Sequence, residues 1–386
     1  MLQGLLVLLL TTQQQPPPPP PPQPHRTVEF TGFVLVNGFY NSAGVNNSDV
    51  PQIASADTIG LGSVGGTIRQ TRLGVLVNEP SVLRGDFSGE IDVDFFGGQQ
   101  PSSGGRTFPL LRLRRALATL TWTGNGSSMQ LLIGQEGPLV ADRSPRSLAA
   151  IGFPDFAGAG NLWLWMPQVR LTGEFGRTLR LALQGAVLAP GTGAPQPAFT
   201  TQPDSAERSG RPSLEGRLRL AWGPADDPSE IGIGGHIGWF LGTDTLSGDS
   251  LLVSHAATAD GRFKFGMIEL VGEAFVGQAL AGLGGGGIGQ NTGAGGAPVQ
   301  TKGGWGQLNV RPNTEWMAGG GCGVDDPDDA DVGGGGRLKN FVCEGHLEWR
   351  PRGPMVFGFE FRHFKTSYAA GDFTANHINL AAGYRF

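Results

Sequence analysis

The sequence predicts an all-β fold, a transmembrane antiparallel β-barrel of sixteen strands. Three observations carry that reading. Glycine supplies 65 of the 386 residues and only 16% are charged. That composition disfavours helices, because an interior Gly costs about 0.8–1 kcal/mol relative to Ala. Apolar and polar residues alternate with a period of two in segment after segment. Tight turns also alternate with long Gly-, Pro- and Asn-rich links, an arrangement that puts short periplasmic turns on one rim and long extracellular loops on the other. No run approaches about 18 consecutive apolar residues, so any membrane crossing falls to strands.

Residues 1–15 hold a short apolar run, Leu5–Leu10, and no basic start, and read as the remnant of an export signal. The alternative is a leader without targeting value. Residues 16–26, with prolines from Pro16 to Pro22, form a polyproline II spacer on the periplasmic side. The barrel occupies 27–386. Its strands are expected at 27–40, 66–80, 86–96, 109–123, 128–141, 162–175, 178–190 and 213–222, then at 230–241, 249–257, 261–278, 303–310, 314–320, 337–350, 354–366 and 374–386.

The alternation is plain in many of these. Phe87, Ile91, Val93 and Phe95 oppose Ser88, Glu90, Asp92 and Asp94; Val169 and Leu171 oppose Arg170 and Thr172. Leu179, Leu181 and Leu183 oppose Arg180 and Gln184; Leu214, Leu218 and Leu220 oppose Glu215, Arg217 and Arg219. Phe357, Phe359 and Phe361 oppose Gly358, Glu360 and Arg362. Two segments read less cleanly. In 261–278 the apolar face switches from Phe263 and Phe265 to Ile268 and Leu270, which calls for a bulge, and 249–257 is weakly patterned. Fourteen strands is therefore the alternative count. With three Tyr in the chain, Trp122, Trp163, Trp165, Trp222, Trp239 and Trp349 are expected to supply the aromatic girdles together with Phe.

The final segment sets Ile378, Leu380, Ala382, Tyr384 and Phe386 on one face. Its Tyr-Arg-Phe ending resembles the last strand of bacterial outer-membrane β-barrels, where the assembly machinery reads the terminal Phe. With the apolar faces in lipid, the opposite faces line a lumen. These carry Glu90, Asp92 and Asp94 beside Arg112 and Arg114, and further round Arg72, Arg170, Arg180, Arg217, Arg219, Glu360 and Arg362. Of the 28 basic residues only Lys264, Lys302, Lys339 and Lys365 are not Arg. Arg keeps its charge and grips carboxylates with a planar fork, so these columns suit a water-filled channel with an arginine-biased path for small anions. The same pairs also read as wall-stabilising cross-strand contacts.

Other features are weaker. Asp325, Asp326, Asp328, Asp329 and Asp331 are oxygen donors of the kind Ca²⁺ takes, but the EF-hand spacing is absent and a solvated acidic loop is the favoured reading. Cys322 and Cys343 flank that loop and are candidates for a disulfide. Six scattered His, no HExxH and no GxSxG give catalysis little support, and the Gly282–Gly289 run has no following helix to make a dinucleotide site. No cofactor is implied. A net charge of −5 without a basic stripe excludes a nucleic-acid partner.

The segment Thr67-Ile-Arg-Gln-Thr-Arg-Leu-Gly74, the acidic strand ending Asp94-Phe95-Phe96-Gly97, then Leu111-Arg-Leu-Arg-Arg115 and Leu132-Ile-Gly-Gln135 resemble the first third of the DcaP-like porins. That resemblance implies a trimeric outer-membrane channel of sixteen strands whose arginine-lined lumen favours small organic acids such as dicarboxylates, with Arg72, Arg112 and Arg114 carrying the role. The likeness covers about residues 30–140 and the terminal strand, and the family's N-terminal coiled coil is replaced here by the proline tract. In many porins the third long loop, here 142–161 with Arg143, Arg146, Phe153 and Asp155, folds inward; an ordinary surface loop is the reading favoured by its sequence. The alternative function is a structural or adhesive barrel with a closed lumen and working external loops. A barrel-embedded hydrolase lacks a Ser or Asp in phase with a lumen His.

Overall fold

Inside hydrocarbon no water is available to a strand's N–H and C=O groups, so an all-strand membrane protein must close its sheet. The computed structural model describes residues 25–386 apart from 57–59, 61, 99–108, 195–201 and 246. The leader-like residues 1–15 and all but the last two of 16–26 lie outside the described residues, as does most of the 97–108 link. The first strands are β1 (Thr27–Asn41), β2 (Ser63–Thr67), β3 (Arg72–Val82), β4 (Gly85–Asp94), β5 (Arg112–Gly124) and β6 (Ser127–Glu136). Then follow β7 (Met166–Gly176), β8 (Leu179–Leu188), β9 (Ser213–Trp222), β10 (Ser229–Leu241), β11 (Leu251–Phe265) and β12 (Ile268–Gln278). The last five are β13 (Gln300–Val310), β14 (Trp316–Pro327), β15 (Arg337–Trp349), β16 (Met355–Tyr368) and β17 (Gly371–Arg385).

Neighbours pair antiparallel, and β17 closes on β1 from Phe33 opposite Arg385 to Asn41 opposite His377. Both β2 and β3 pair with β1, so the strand expected at 66–80 is a single pass broken at 68–71, and the barrel makes sixteen passes. Thr71 fills the break: its hydroxyl accepts from the Leu35 N–H at 3.1 Å and lies 3.3 Å from the Leu35 carbonyl. The expected bulge in 261–278 is instead a tight turn at Gly266-Met267 between β11 and β12, and 249–257 is the upper half of β11. The apolar face switched there because the chain reverses, so the count stays at sixteen. β14 runs on to Pro327, shortening the expected 321–336 link to 328–336.

Apart from the two-residue β16–β17 turn at 369–370, long connections at one rim alternate with tight turns at the other, where both ends of the strand set also lie. Trp316, Trp349 and Phe357 stack at 5.6 and 5.2 Å, and Trp222 meets Phe263, giving an aromatic belt at the short-turn rim. Cys322 and Cys343 face each other across β14 and β15 on the outward side, with their sulfurs bonded. That bond closes a loop with a sequence separation of 21. Replacing both with Ser (Cys322→Ser, Cys343→Ser) is expected to lower unfolding free energy by about 3 kcal/mol on the loop-entropy model. Urea titration of the heat-modifiable folded band measures it, and an unchanged midpoint would show that the sheet alone holds this edge.

Candidate functional site: a lumen narrowed by its third long loop

Residues 137–165 join β6 to β7 and fold into the barrel, correcting the expectation of a surface loop. The wall meets this segment on several sides. The Leu139 N–H donates to Glu215 at 2.6 Å and the Leu162 N–H to Glu273 at 2.9 Å. The Arg146 N–H donates to Gln307, whose amide returns a bond to the Arg146 carbonyl at 3.0 Å. Gln70 donates to the Ala149 carbonyl at 2.6 Å. Apolar side chains finish the seating: Leu139, Val140 and Leu162 cluster with Leu280 and Leu283 of the 279–299 link, Phe156 stacks on Trp305, and Leu148 joins Leu35 and Val356. Gly160 adopts φ +98°, and a Cβ there would lie 2.3 Å from the Gly304 carbonyl oxygen, so this crossing admits only glycine.

Charge then pins the segment. Arg143 holds Asp260 at 2.8 Å and also Glu230, while Arg217 grips the same Asp260 at 2.7 Å and reaches Asp142 at 3.2 Å. Although burial works against its charge, Asp142, Glu230 and Asp260 keep the Arg143 guanidinium above its ordinary pKa. Arg146 pairs with Glu269 at 2.7 Å. Across the barrel, Asp155 meets Arg362 at 3.0 Å, and Glu360 accepts from both Arg362 and the Ser147 hydroxyl. Asp155, Glu344 and Glu360 place carboxylate oxygens within 4.8 Å of one another, and Arg362 is the cation lying against them. Burial drives the Asp155 carboxyl well above the usual range, with Arg362 pulling the other way.

With that side filled, a cavity of about 470 Å³ remains against the β3–β7 wall. Arg72, Arg114, Arg115 and Arg170 line it from the wall, and Asp142, Arg143, Trp163 and Trp165 from the inserted segment and its return to β7, with Glu136 at the end of β6. Several of these arginines are neutralised. Arg72 donates to Asp92 at 2.7 Å, and Arg115 binds Glu90 at 2.8 Å and Glu136 at 2.9 Å. Next to the cavity, Arg112 forks onto Asp94 at 3.0 and 2.6 Å.

Two arginines differ. A register shift sets Asp92 opposite Arg115 and Val93 opposite Leu113, leaving Arg114 as the extra residue of a bulge. Its Nε and Nη1 make no hydrogen bond, its Nε lies 3.7 Å from an Asp94 oxygen, and the Trp165 ring lies 4.6 Å away. Arg170 donates to the Gln168 side chain at 3.1 Å and the Gly137 carbonyl at 2.7 Å, both neutral.

The inserted segment covers many of the residues expected to line the pore, so that Arg114 and Arg170 too are only 7–8% exposed. Asp94, Arg217, Glu360 and Arg362, read from sequence as pore lining, are 0–4% exposed and serve as anchors or anchor partners. Arg180 and Arg219 both approach Glu174 on the wall, Arg180 at 3.8 Å. Trp163 and Trp165 stand edge to face at 5.3 Å before β7 rather than in a girdle. Arg115 was missed, and Arg143 was named only as part of the loop whose favoured reading was a surface loop. Arg115 had a signal: an arginine on the lipid face costs about 2–4 kcal/mol at mid-membrane, so adjacent arginines in a spanning strand demand a bulge. The acidic run is split among local partners. Asp325 accepts from the Thr301 hydroxyl at 2.6 Å and the Ile288 N–H at 3.0 Å, Asp326 faces Lys302 and Lys339, and Asp331 accepts from the Gln300 N–H.

A closed sixteen-pass barrel with its third long loop folded inward is the architecture of the bacterial outer-membrane porins. No family model and no curated protein matches the chain. Among solved structures it is similar to the outer membrane channel DcaP of Acinetobacter baumannii, with TM-score 0.70 and 18% identity over 94% of this chain and 97% of that one. It is also similar to an anion-selective porin from Comamonas acidovorans (TM-score 0.58, 12% identity, 94% and 100% covered). A third is OmpT of Vibrio cholerae in its trimer form (TM-score 0.55, 9% identity, 94% and 99% covered). These likenesses establish the fold.

Breaking one anchor should free the inserted segment. Arg362→Gln strands Asp155 and Glu360 in a buried site, a change worth about 3–5 kcal/mol for a buried pair. The expected result is larger, noisier single-channel steps, and steps of wild-type size and stability would mean that the apolar seating alone holds the segment.

Proposed function

We propose that this protein is a passive diffusion channel of the bacterial outer membrane for small hydrophilic anions, dicarboxylates among them. The carrying observation is the pair Arg114 and Arg170, buried arginines among the residues lining the cavity that lack a hydrogen-bonded carboxylate, Arg114 having only a 3.7 Å approach to Asp94. Such groups replace part of an anion's hydration shell, and their charge disfavours cations in the same narrow space. Trp165 beside Arg114 gives the slot an apolar flank. The channel and anion-selective porin to which the chain is similar support the reading, as does the opening expected of a barrel this wide. The OmpT trimer supports a homotrimer as its working state.

The test is conductance and reversal potential of the refolded protein in a planar bilayer under a KCl gradient. Wild type should pass stable steps with a reversal potential on the chloride side. Arg114→Ala with Arg170→Ala should shift that potential toward the potassium side. A folded, inserted barrel that passes no current would instead indicate a structural or adhesive barrel closed by its inserted segment.

A further inference from the structure

Away from the constriction, three arginines gather at the short-turn rim. Arg311 follows β13, Arg350 follows β15, and Arg385 ends β17. Each continues the inward phase of its strand, in step with buried Asn309, Glu348 and Ala381. Backbone bonds hold the three strand ends together: the Arg350 N–H donates to the Glu315 carbonyl at 2.7 Å, and the Arg385 N–H to the Pro354 carbonyl at 2.8 Å. The Arg311 Nη2 lies 3.4 Å from the Met317 sulfur, and Met317 stands opposite Glu348. The positive charges of Arg385, Arg311 and Arg146 all act on Arg350.

Acids are scarce here. Glu348 pairs with Arg350, and Arg146 is committed to Glu269. Among the described residues neither Arg311 nor Arg385 has a carboxylate within ion-pairing distance, and Glu315 in the neighbouring turn joins no ion pair. Arg311 and Arg385 are exposed.

Building on the channel reading above, we propose that this rim is a second anion station, an exit vestibule that binds multiply charged oxyanions in series with the constriction. A phosphate, sulfate or dicarboxylate offers several oxygens and at least two charges to guanidinium forks that otherwise repel one another. Chloride offers a single charge and no fork to match. The inward phase of all three residues favours a solute in the lumen over the phosphate of a lipid headgroup.

Block of chloride current by inorganic pyrophosphate tests this in bilayers of neutral phosphatidylcholine. Wild type should be blocked more strongly at one voltage polarity, that which drives anions in from the short-turn rim. Arg311→Gln with Arg385→Gln should raise the half-blocking concentration about tenfold, as expected for the loss of two solvent-exposed ion contacts. Arg385→Gln alone should fall between. Arg352→Gln, an exposed change in the same turn region, should leave the block as it is. Equal block of wild type and the double variant, or equal loss with Arg352→Gln, overturns the vestibule while the channel stands. Disappearance of the block when phosphatidylglycerol is added to the bilayer would assign the arginines to lipid headgroups and also overturn it. A wild-type barrel that carries no current sinks the channel reading and the vestibule together.

Discussion

The constraint on which the rest of this structure depends is backbone hydrogen bonding in a medium that offers none. Each strand must find both neighbours, so the sheet closes β17 onto β1 and leaves no edge in lipid. Sixteen passes then enclose more space than their inward side chains fill. That space holds a loop with polar backbone because the wall returns partners for that backbone. Gln70, Glu215, Glu273 and Gln307 supply them, and all four project from the wall toward the inserted segment. The glycine content serves the same end at the crossing of Gly160 over Gly304, where two backbones approach more closely than any side chain allows.

The charges inside the barrel divide into two working sets. On the β9–β12 side, Arg143, Arg146 and Arg217 are matched by Asp260, Glu230 and Glu269, and the matching fixes the loop. Against the β3–β7 wall the matching is incomplete, since Arg114 sits on a bulge and Arg170 on neutral acceptors. Arg114 keeps only a long 3.7 Å approach to Asp94, and Arg170 has neutral acceptors in place of a carboxylate, so both stay buried with their charge incompletely matched. The interior is consequently lopsided, packed by the inserted segment on one side and left with an arginine-rich cavity on the other.

Much of the barrel was legible in the sequence because a strand's side chains alternate strictly between two solvents. Leu179 and Leu181 against Arg180, or Phe359 and Phe361 against Glu360 and Arg362, can be read without coordinates. Where alternation failed, local geometry had intervened. The switch after Phe265 was a reversal of the chain at Gly266, and the break before Arg72 is filled by a threonine hydroxyl that no periodicity records. Trp163 and Trp165 look like girdle residues because composition does not distinguish a loop tryptophan from a rim one.

The sequence by itself therefore determined the fold class and the number of passes, and gave two distinct faces to the strands whose alternation is clean, since these follow from local periodicity and turn chemistry. Only the tertiary structure decided which inward residues anchor the inserted segment and which line the cavity it leaves. That depends on where residues 137–165 lie, and their position is set by contacts over sequence separations as long as 213 residues, as between Ser147 and Glu360. The same insertion made Arg362 an anchor and left Arg114, itself buried, at the wall of the remaining cavity. Long-range electrostatic pairing of this kind leaves no periodic trace in a chain, because each partner is chosen by the folded wall rather than by its neighbours in sequence.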